Sequence, residues 1–433
     1  MEFVTAVPPA EFNTFVENHP TKSHFLQSPY WGEVSRYRHL TPHYLGVREN
    51  GKLVAAAMLL EKKLPFGYSH FYAPRGFVLD YSNDGILEFF TRCVGDYVKK
   101  RKGLYFKIDP DIKLHQIDKD ANPITDGENN YRLVQKLKAL GYRHFGYNKN
   151  FEASQPRYTF RIKTDDSWPE IEKRFSASTR QRIKKAMQYG VEVKIGTAED
   201  VKTFYQLMAA TEKRKNIFQH EYAFYTRFYE IFSEGNHVKL FLGRVYPAEI
   251  VKKIESELAR CLEDLAKLEQ KAAAGISRHL QNQLEQLKKQ IAKLQEDKQL
   301  FTAYSDKYPE GVTVTAQMIV FYGDKGWVLY AGNHDDLTES FANYLVYREH
   351  IRYAHEHGIK HYDQFGTVGD LRKDNPLLGL HEFKKKFGGE YIEFIGEFTY
   401  VTNAPLYFVF TKLVPFYRKI VRLLLRRRKK DEV

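Results

Sequence analysis

Five basic side chains, Arg174, Arg180, Arg182, Lys184 and Lys185, fall in or beside the segment 175–189, whose periodicity predicts a helix. Cations at that density suit phosphate contact, through charge and, for arginine, through a planar fork of donors; a solvated helix face has the same composition. The run Lys384-Lys385-Lys386 reads, on composition alone, as surface. His350, His355 and His357 share one predicted helix, but their spacing sets no pair one turn apart on one face, so no metal site is expected. The two cysteines, Cys93 and Cys261, form no CxxC pair, which excludes a cysteine-built metal site and a disulfide framework. The chain also lacks GxxxxGK[ST], GxGxxG, HExxH and GxSxG, and with them phosphate-loop, dinucleotide, zinc-protease and serine-hydrolase chemistry.

Alternating elements must position whatever chemistry is present. Tyr44–Arg48 and Lys52–Met58 flank Glu49-Asn50-Gly51, and Asn-Gly between strands predicts a tight hairpin. An amphipathic helix over 87–100 leads into a strand over 104–108 that ends at Asp109-Pro110-Asp111. A second α/β half repeats this layout: strand 157–162, helices between 171 and 215, strand 239–245, a strand pair 313–322 and 326–330, helix 340–357 and strand 360–363. Between its strands, Ile254, Leu258, Cys261, Leu265, Leu268 and Ala272, then Leu280, Leu284, Leu287, Ile291 and Leu294, alternate spacings of four and three around Ala273-Ala274-Gly275. That pattern predicts an inserted antiparallel coiled-coil hairpin, either a rigid spacer or an arm for a long ligand.

The chain has 433 residues with 43% hydrophobic and 15% aromatic content, enough for two or three globular domains, and a formal charge of +13. From Lys412 to Val433 there are nine basic and two acidic residues, so more than half of that excess sits in the tail. There Leu413, Phe416, Tyr417, Ile420, Val421 and Leu424 form one helical stripe and Arg418, Arg422 and Arg426 another. A basic amphipathic helix suits an anionic membrane surface; a helix docked on the body of the protein fits the pattern equally. The N-terminus has no signal-peptide pattern and no apolar run is long enough to span a bilayer, which leads us to expect a soluble or peripheral cytoplasmic protein.

The runs Phe71–Asn83, Lys107–Asp111, Gln155-Pro156-Arg157, Glu212-Lys213-Arg214, Tyr330-Ala331-Gly332, Tyr362-Asp363 with Gly366-Thr367, and Glu382-Phe383-Lys384-Lys385 occur in one order. Together with the helical hairpin they resemble the FemABX family of peptidoglycan-bridge aminoacyltransferases. The resemblance implies two GNAT-like (N-acetyltransferase-like) subdomains, at 1–150 and at 151–247 with 301–402, an inserted coiled-coil arm at 248–300 and a basic tail at 403–433. It implies transfer of an amino acid from aminoacyl-tRNA to the stem-peptide amine, usually of lysine, of lipid II or UDP-MurNAc-pentapeptide. Aminoacyl-tRNA is then a co-substrate, no cofactor or metal is implied, and the inner membrane face is the expected place of work.

Residue by residue, the resemblance puts Lys384, with Phe383, at the catalytic lysine's position and Asp109 at an acidic site residue able to accept a hydrogen bond from the incoming amine. It assigns the precursor to Arg214, Tyr330, Arg75, Gly366 and Thr367. Two positions depart from the family pattern. Ser35 stands where relatives have a phosphate-binding lysine, so that either Arg36 or Arg38 takes over the contact or the contact is lost, and Leu104 stands where they have a tyrosine. The residue types leave two other classes open: an acetyl-CoA-type N-acetyltransferase, whose pyrophosphate-binding loop is missing here, and a non-enzymatic membrane-associated RNA-binding scaffold.

Overall fold

A computed structural model describes residues 1–215, 220–273 and 275–413, with the side chains of Arg214 and Lys215 outside that description. The fold is mixed α/β in two compact units: residues 1–163, 321–327 and those after 358 form the first, and 164–320 with 328–358 the second. In chain order, β1 (Glu2–Val4), β2 (Thr41–Glu49), β3 (Lys52–Lys63), β4 (Ser69–Ala73), β5 (Val78–Leu79), β6 (Gly103–Ile108), β7 (Lys113–Gln116), β8 (Tyr142–His144) and β9 (Tyr158–Lys163) open the first unit. β10 (Glu192–Ile195) and β11 (Val238–Val245) follow, then β12 (Val312–Tyr322) and β13 (Lys325–Asn333), which carry the chain across the division. β14 (His361–Asp363), β15 (Glu390–Phe394) and β16 (Phe398–Val401) return to the first unit.

The first unit's larger sheet runs β1-β2-β3-β4-β6-β16-β8, with β5 paired to β3. The β2–β3 hairpin turns where expected: Asn50 and Gly51 take φ of 50° and 77°, the left-handed pair a two-residue primed turn requires. Alternate strand residues, among them Leu45, Val47, Ala55, Ala57, Phe71 and Phe106, point to one face and bury there. Leu87, Phe90, Val94 and Val98, spaced by three and four along the helix Asp84–Lys100, cover them. In the same unit β9 lies between β14 and β15, and β7 joins β15.

This grouping differs from the boundaries expected at residues 150 and 402. β16 inserts between β6 and β8, pairing Phe398 with Ile108 and His144, so backbone ladders bind the chain's last strand to its first 163 residues. The turn between β12 and β13 depends on Gly323, φ 59°, where a Cβ would stand 2.5 Å from the Glu17 carbonyl oxygen and the Ser23 hydroxyl.

In the second unit β10, β11 and β12 pair antiparallel. The helices Pro247–Ala273 and Arg278–Lys307 pack together, and Lys298–Glu255 and Lys288–Glu269 pairs at 2.8 and 2.9 Å run in opposite sequence sense, which makes them antiparallel. Ile254, Cys261, Leu284, Ile291 and Leu294 are buried and the remaining heptad positions half-buried. Asp297 fixes the base of this pair, accepting from Lys185 Nζ at 2.7 Å and Tyr189 OH at 2.9 Å.

The basic helix, Ala177–Tyr189, is largely engaged inside its own unit. Arg174 pairs with Asp166, Arg180, though exposed, donates to the Lys173 and Phe175 carbonyls, and Arg182 donates to Tyr344 OH, while Lys184 is exposed. The helix histidines are likewise structural, His350 against Gln317 Oε1, His355 against the Thr164 carbonyl and His357 against that of Tyr353. Of the expected tail helix only Leu413 is described; residues 414–433 lie outside the described residues.

Candidate active site

β4 and β6 run parallel with Ala73 opposite Ile108, so their C-terminal ends lie side by side and the residues just beyond them meet. Asp109 follows β6, and its carboxylate accepts from Tyr72 OH at 2.8 Å and from the Arg75 backbone N–H at 2.7 Å. Arg75 can present that N–H because the chain turns there through φ 54°. Its guanidinium donates to the Pro156 carbonyl at 2.7 Å and sits 4.3 Å above the Phe394 ring. Burial, outweighing the Arg75 charge and both hydrogen bonds, pushes the Asp109 carboxyl up to about 7. A carboxyl in that range exchanges its proton near neutral pH, as a general base must.

Lys384 lies in the last turn of the helix Leu378–Lys385 and is buried. Its Nζ donates to the carbonyls of Phe365 at 2.6 Å and Gly366 at 2.7 Å, and its own carbonyl accepts from Gln364 Nε2 at 3.1 Å. The surface reading of the lysine run therefore fails for its first member. The Phe365–Gly366 loop is held from below as well: Phe365, at φ 55°, gives its N–H to Asp363 Oδ1 at 2.7 Å. A Cβ on Gly366 would come within 2.5 Å of Pro156, so the loop's close approach needs glycine. Thr367 bonds the Tyr158 carbonyl through its N–H at 2.8 Å, while its buried hydroxyl has no hydrogen-bond partner among the described residues.

Under the loop lies a buried charge network. Arg161 donates to both oxygens of Asp111 at 3.1 Å and to Asp363 Oδ2 at 2.9 Å, and Thr159 donates to Asp363 Oδ1 at 2.5 Å. Lys325 Nζ stands 3.8 Å from Asp111 and donates to the Thr21 and Ser23 carbonyls. Burial opposes ionisation of Asp111, but Arg161 and Lys325 overcome it and hold the carboxyl well below its usual range. Burial lowers Lys22 to about 8 against the pull of Asp111, and drives His24 well below its ordinary value, leaving it neutral.

Arg75, Arg161, Asp363, Phe365, Gly366 and Phe394 line one narrow cleft of about 10 Å³, the room of a single water. A substrate entering there must displace lining side chains or the loop. Of the residues expected at the site, Arg75 and Gly366 line this cleft; Asp109 is tied to it through the Arg75 N–H and Lys384 through the Phe365 and Gly366 carbonyls, with Thr367 adjoining. Phe383 is half-buried and packs on Phe387, ring centres 5.3 Å apart.

Others do not join. Ser35 is buried, while Arg36 and Arg38 are exposed and Arg36 pairs with Glu33 at 3.0 Å. Tyr330 lies in the second unit among Phe224, Tyr225 and Phe228, 5.1 Å from the Tyr225 ring. The side chain of Arg214 is outside the description. Leu104 is buried, and a tyrosine hydroxyl reaches Asp109 all the same, from Tyr72. Tyr72, Asp111 and Asp363 stood within the recognised motifs without an assigned role, whereas Arg161 carries no local signal.

The FemAB family model matches residues 7–414. The lipid II:glycine glycyltransferase of Staphylococcus aureus strain USA300 is 30% identical over 410 residues, covering 94% of either chain, and that of strain Mu50 matches equally. The crystal structure of FemX superposes with a TM-score of 0.74 at 30% identity, over 94% of this chain and 99% of that one. With a match of that extent in sequence and in fold, the chain belongs to the FemAB family.

Proposed function

We propose that this transferase moves an amino acid from an aminoacyl-tRNA to the lysine side-chain amine of a lipid-linked peptidoglycan stem peptide, building the interpeptide bridge. One observation carries the reading: a single cleft is bordered by Arg75, whose N–H fixes Asp109, and by the Phe365–Gly366 carbonyls, which hold Lys384. The S. aureus relative, named for lipid II and glycine, makes lipid II the first acceptor to test and glycine the first donor group.

In the reaction the neutral amine attacks the ester carbonyl carbon, the C–N bond forms, and the carbonyl oxygen gains charge facing the cations of Arg75 and Lys384. Asp109, as carboxylate, takes the amine proton, and the proton is passed to the ribose oxygen as the C–O bond breaks. Atoms and charge balance without a cofactor. Transfer of radiolabelled amino acid from a panel of aminoacyl-tRNAs to lipid II and to the nucleotide precursor tests the proposal; no transfer from any of them to either acceptor refutes it.

Asp109 gives the reaction a pH signature. With the carboxyl near 7, the rate should climb between pH 6 and 8 more steeply than deprotonation of the attacking amine alone provides, and Asp109→Asn should leave only that shallower slope and slow transfer by about 10²-fold. The stability effect runs the other way. A carboxyl raised in the folded state takes up a proton on folding, so its contribution is full below its ordinary value and lost as pH rises to about 7. Asp109→Asn should therefore gain stability relative to wild type above neutrality; a stability loss at pH 8 would contradict this account.

A further inference from the structure

Among the described residues the most exposed large apolar side chain is Phe66, 88% exposed at the tip of the connection between β3 and β4. It is held there by a closed turn: Phe66 and Gly67 take φ of 62° and 74°, and Leu64 N–H donates to the Tyr68 carbonyl at 2.8 Å. The first unit therefore displays a convex aromatic point that contributes nothing to its own core.

Two neighbouring features match that point. Tyr68, on the near side of the turn, lies 6.2 Å from the ring of Phe410, and the segment bearing Phe410 also exposes Phe408 and Leu413 by 55% and 48%. Ser69 N–H donates to the Lys102 carbonyl at 3.2 Å, which draws the exposed turn Lys99-Lys100-Arg101-Lys102 beside the tip. Lys62 on β3 is exposed as well, whereas Lys63 is paired with Glu61. At Leu413, within this patch, the described chain ends and 20 residues follow, with eight Lys or Arg and two acidic residues.

We propose that this end of the first unit docks on an anionic phospholipid bilayer, with Phe66 entering the interface and the lysine turn meeting the headgroups. A convex aromatic tip collared by cations and continued by a basic tail complements a charged lipid plane, where apolar insertion and charge attraction add. No helix among the described residues is long and apolar enough to cross a membrane, so the contact is interfacial. The proposal accords with a lipid-linked acceptor, but binding is read without turnover, so either can fail alone.

The test uses the full chain carrying Phe66→Trp, with phosphatidylglycerol-rich and pure phosphatidylcholine vesicles. Indole emission should move to shorter wavelength on the former and hardly change on the latter. Phe66→Asn, which keeps a residue tolerant of positive φ, should partition about tenfold more weakly with unaltered thermal unfolding. Replacing Lys99, Lys100 and Lys102 by Gln should weaken binding about fivefold per residue at low salt. Unmoved emission on vesicles that sediment the protein, or Phe66→Asn sedimenting like wild type, would overturn the proposal and leave the surface to the tail alone or to a protein partner.

Discussion

Lys384→Met should slow amino-acid transfer by about 10²–10³-fold while leaving the affinity for aminoacyl-tRNA within a few-fold of wild type. The ammonium is fixed by two carbonyls at 2.6 and 2.7 Å, which orients its remaining donor capacity as preorganised charge rather than as a mobile surface cation. The same substitution strips the Phe365 and Gly366 carbonyls of their donor inside a buried loop, at about 1–3 kcal/mol per unsatisfied group. We expect a measurable loss of stability, about 2–4 kcal/mol, beside the catalytic defect. Single-turnover transfer and chemical denaturation on one preparation separate the two. A destabilised variant with wild-type single-turnover rate would make Lys384 a strut of the loop and remove it from the chemistry; a non-enzymatic scaffold would show the stability loss alone.

Arg161→Met should be the most destabilising single change in the first unit, about 3–5 kcal/mol at pH 7, because it leaves Asp111 and Asp363 as buried carboxylates without their shared partner. Lys325, 3.8 Å from Asp111, cannot replace a guanidinium that bonds two carboxylates at once. Arg161→Lys should accordingly recover only part of the loss. The pH dependence identifies the cause. Asp111 is depressed in the folded state, so its pairing stabilises above the ordinary carboxylate range and is lost as pH falls through it; the deficit of Arg161→Met must close in that window. Transfer should also fall by at least about tenfold, since Asp363 holds the Phe365 N–H and a small displacement of the loop misplaces Lys384. A pH-independent deficit in denaturation experiments would mean that packing, not charge, is what Arg161 supplies.

What was legible in the sequence was local or ordered. Asn50-Gly51 announced a hairpin because two-residue turns demand residues that tolerate positive φ, and the long helix pair announced itself because a repeated apolar spacing accumulates over many turns. Asp109 was visible as an acid at a strand end inside a recognised motif. The supports were not. Arg161 is an ordinary alternating strand residue until Asp111 and Asp363, 50 positions before it and 202 after it, are brought to its guanidinium. Which of Arg36 and Arg38, if either, stands in for a lysine at 35 was not legible, because each step along a helix turns a side chain by about 100° and both arginines are exposed. The pairing of β16 with β6 and β8, which ties the chain's last strand to its first 163 residues, leaves no local mark.

That pairing sets an order of events at the ribosome. The second unit occupies an uninterrupted middle stretch apart from one short excursion, so it can close on itself while the chain is still being made. The first unit cannot: residues 398–401 must emerge before the gap between β6 and β8 is filled, and until then two strands stand with open edges. Asp109 emerges early and Lys384 late, and the strand that completes the sheet beside Asp109 arrives after both. Nascent chains that stop short of residue 398 would carry an intact second unit and no working centre, and their unfilled sheet would mark them for chaperones or proteolysis.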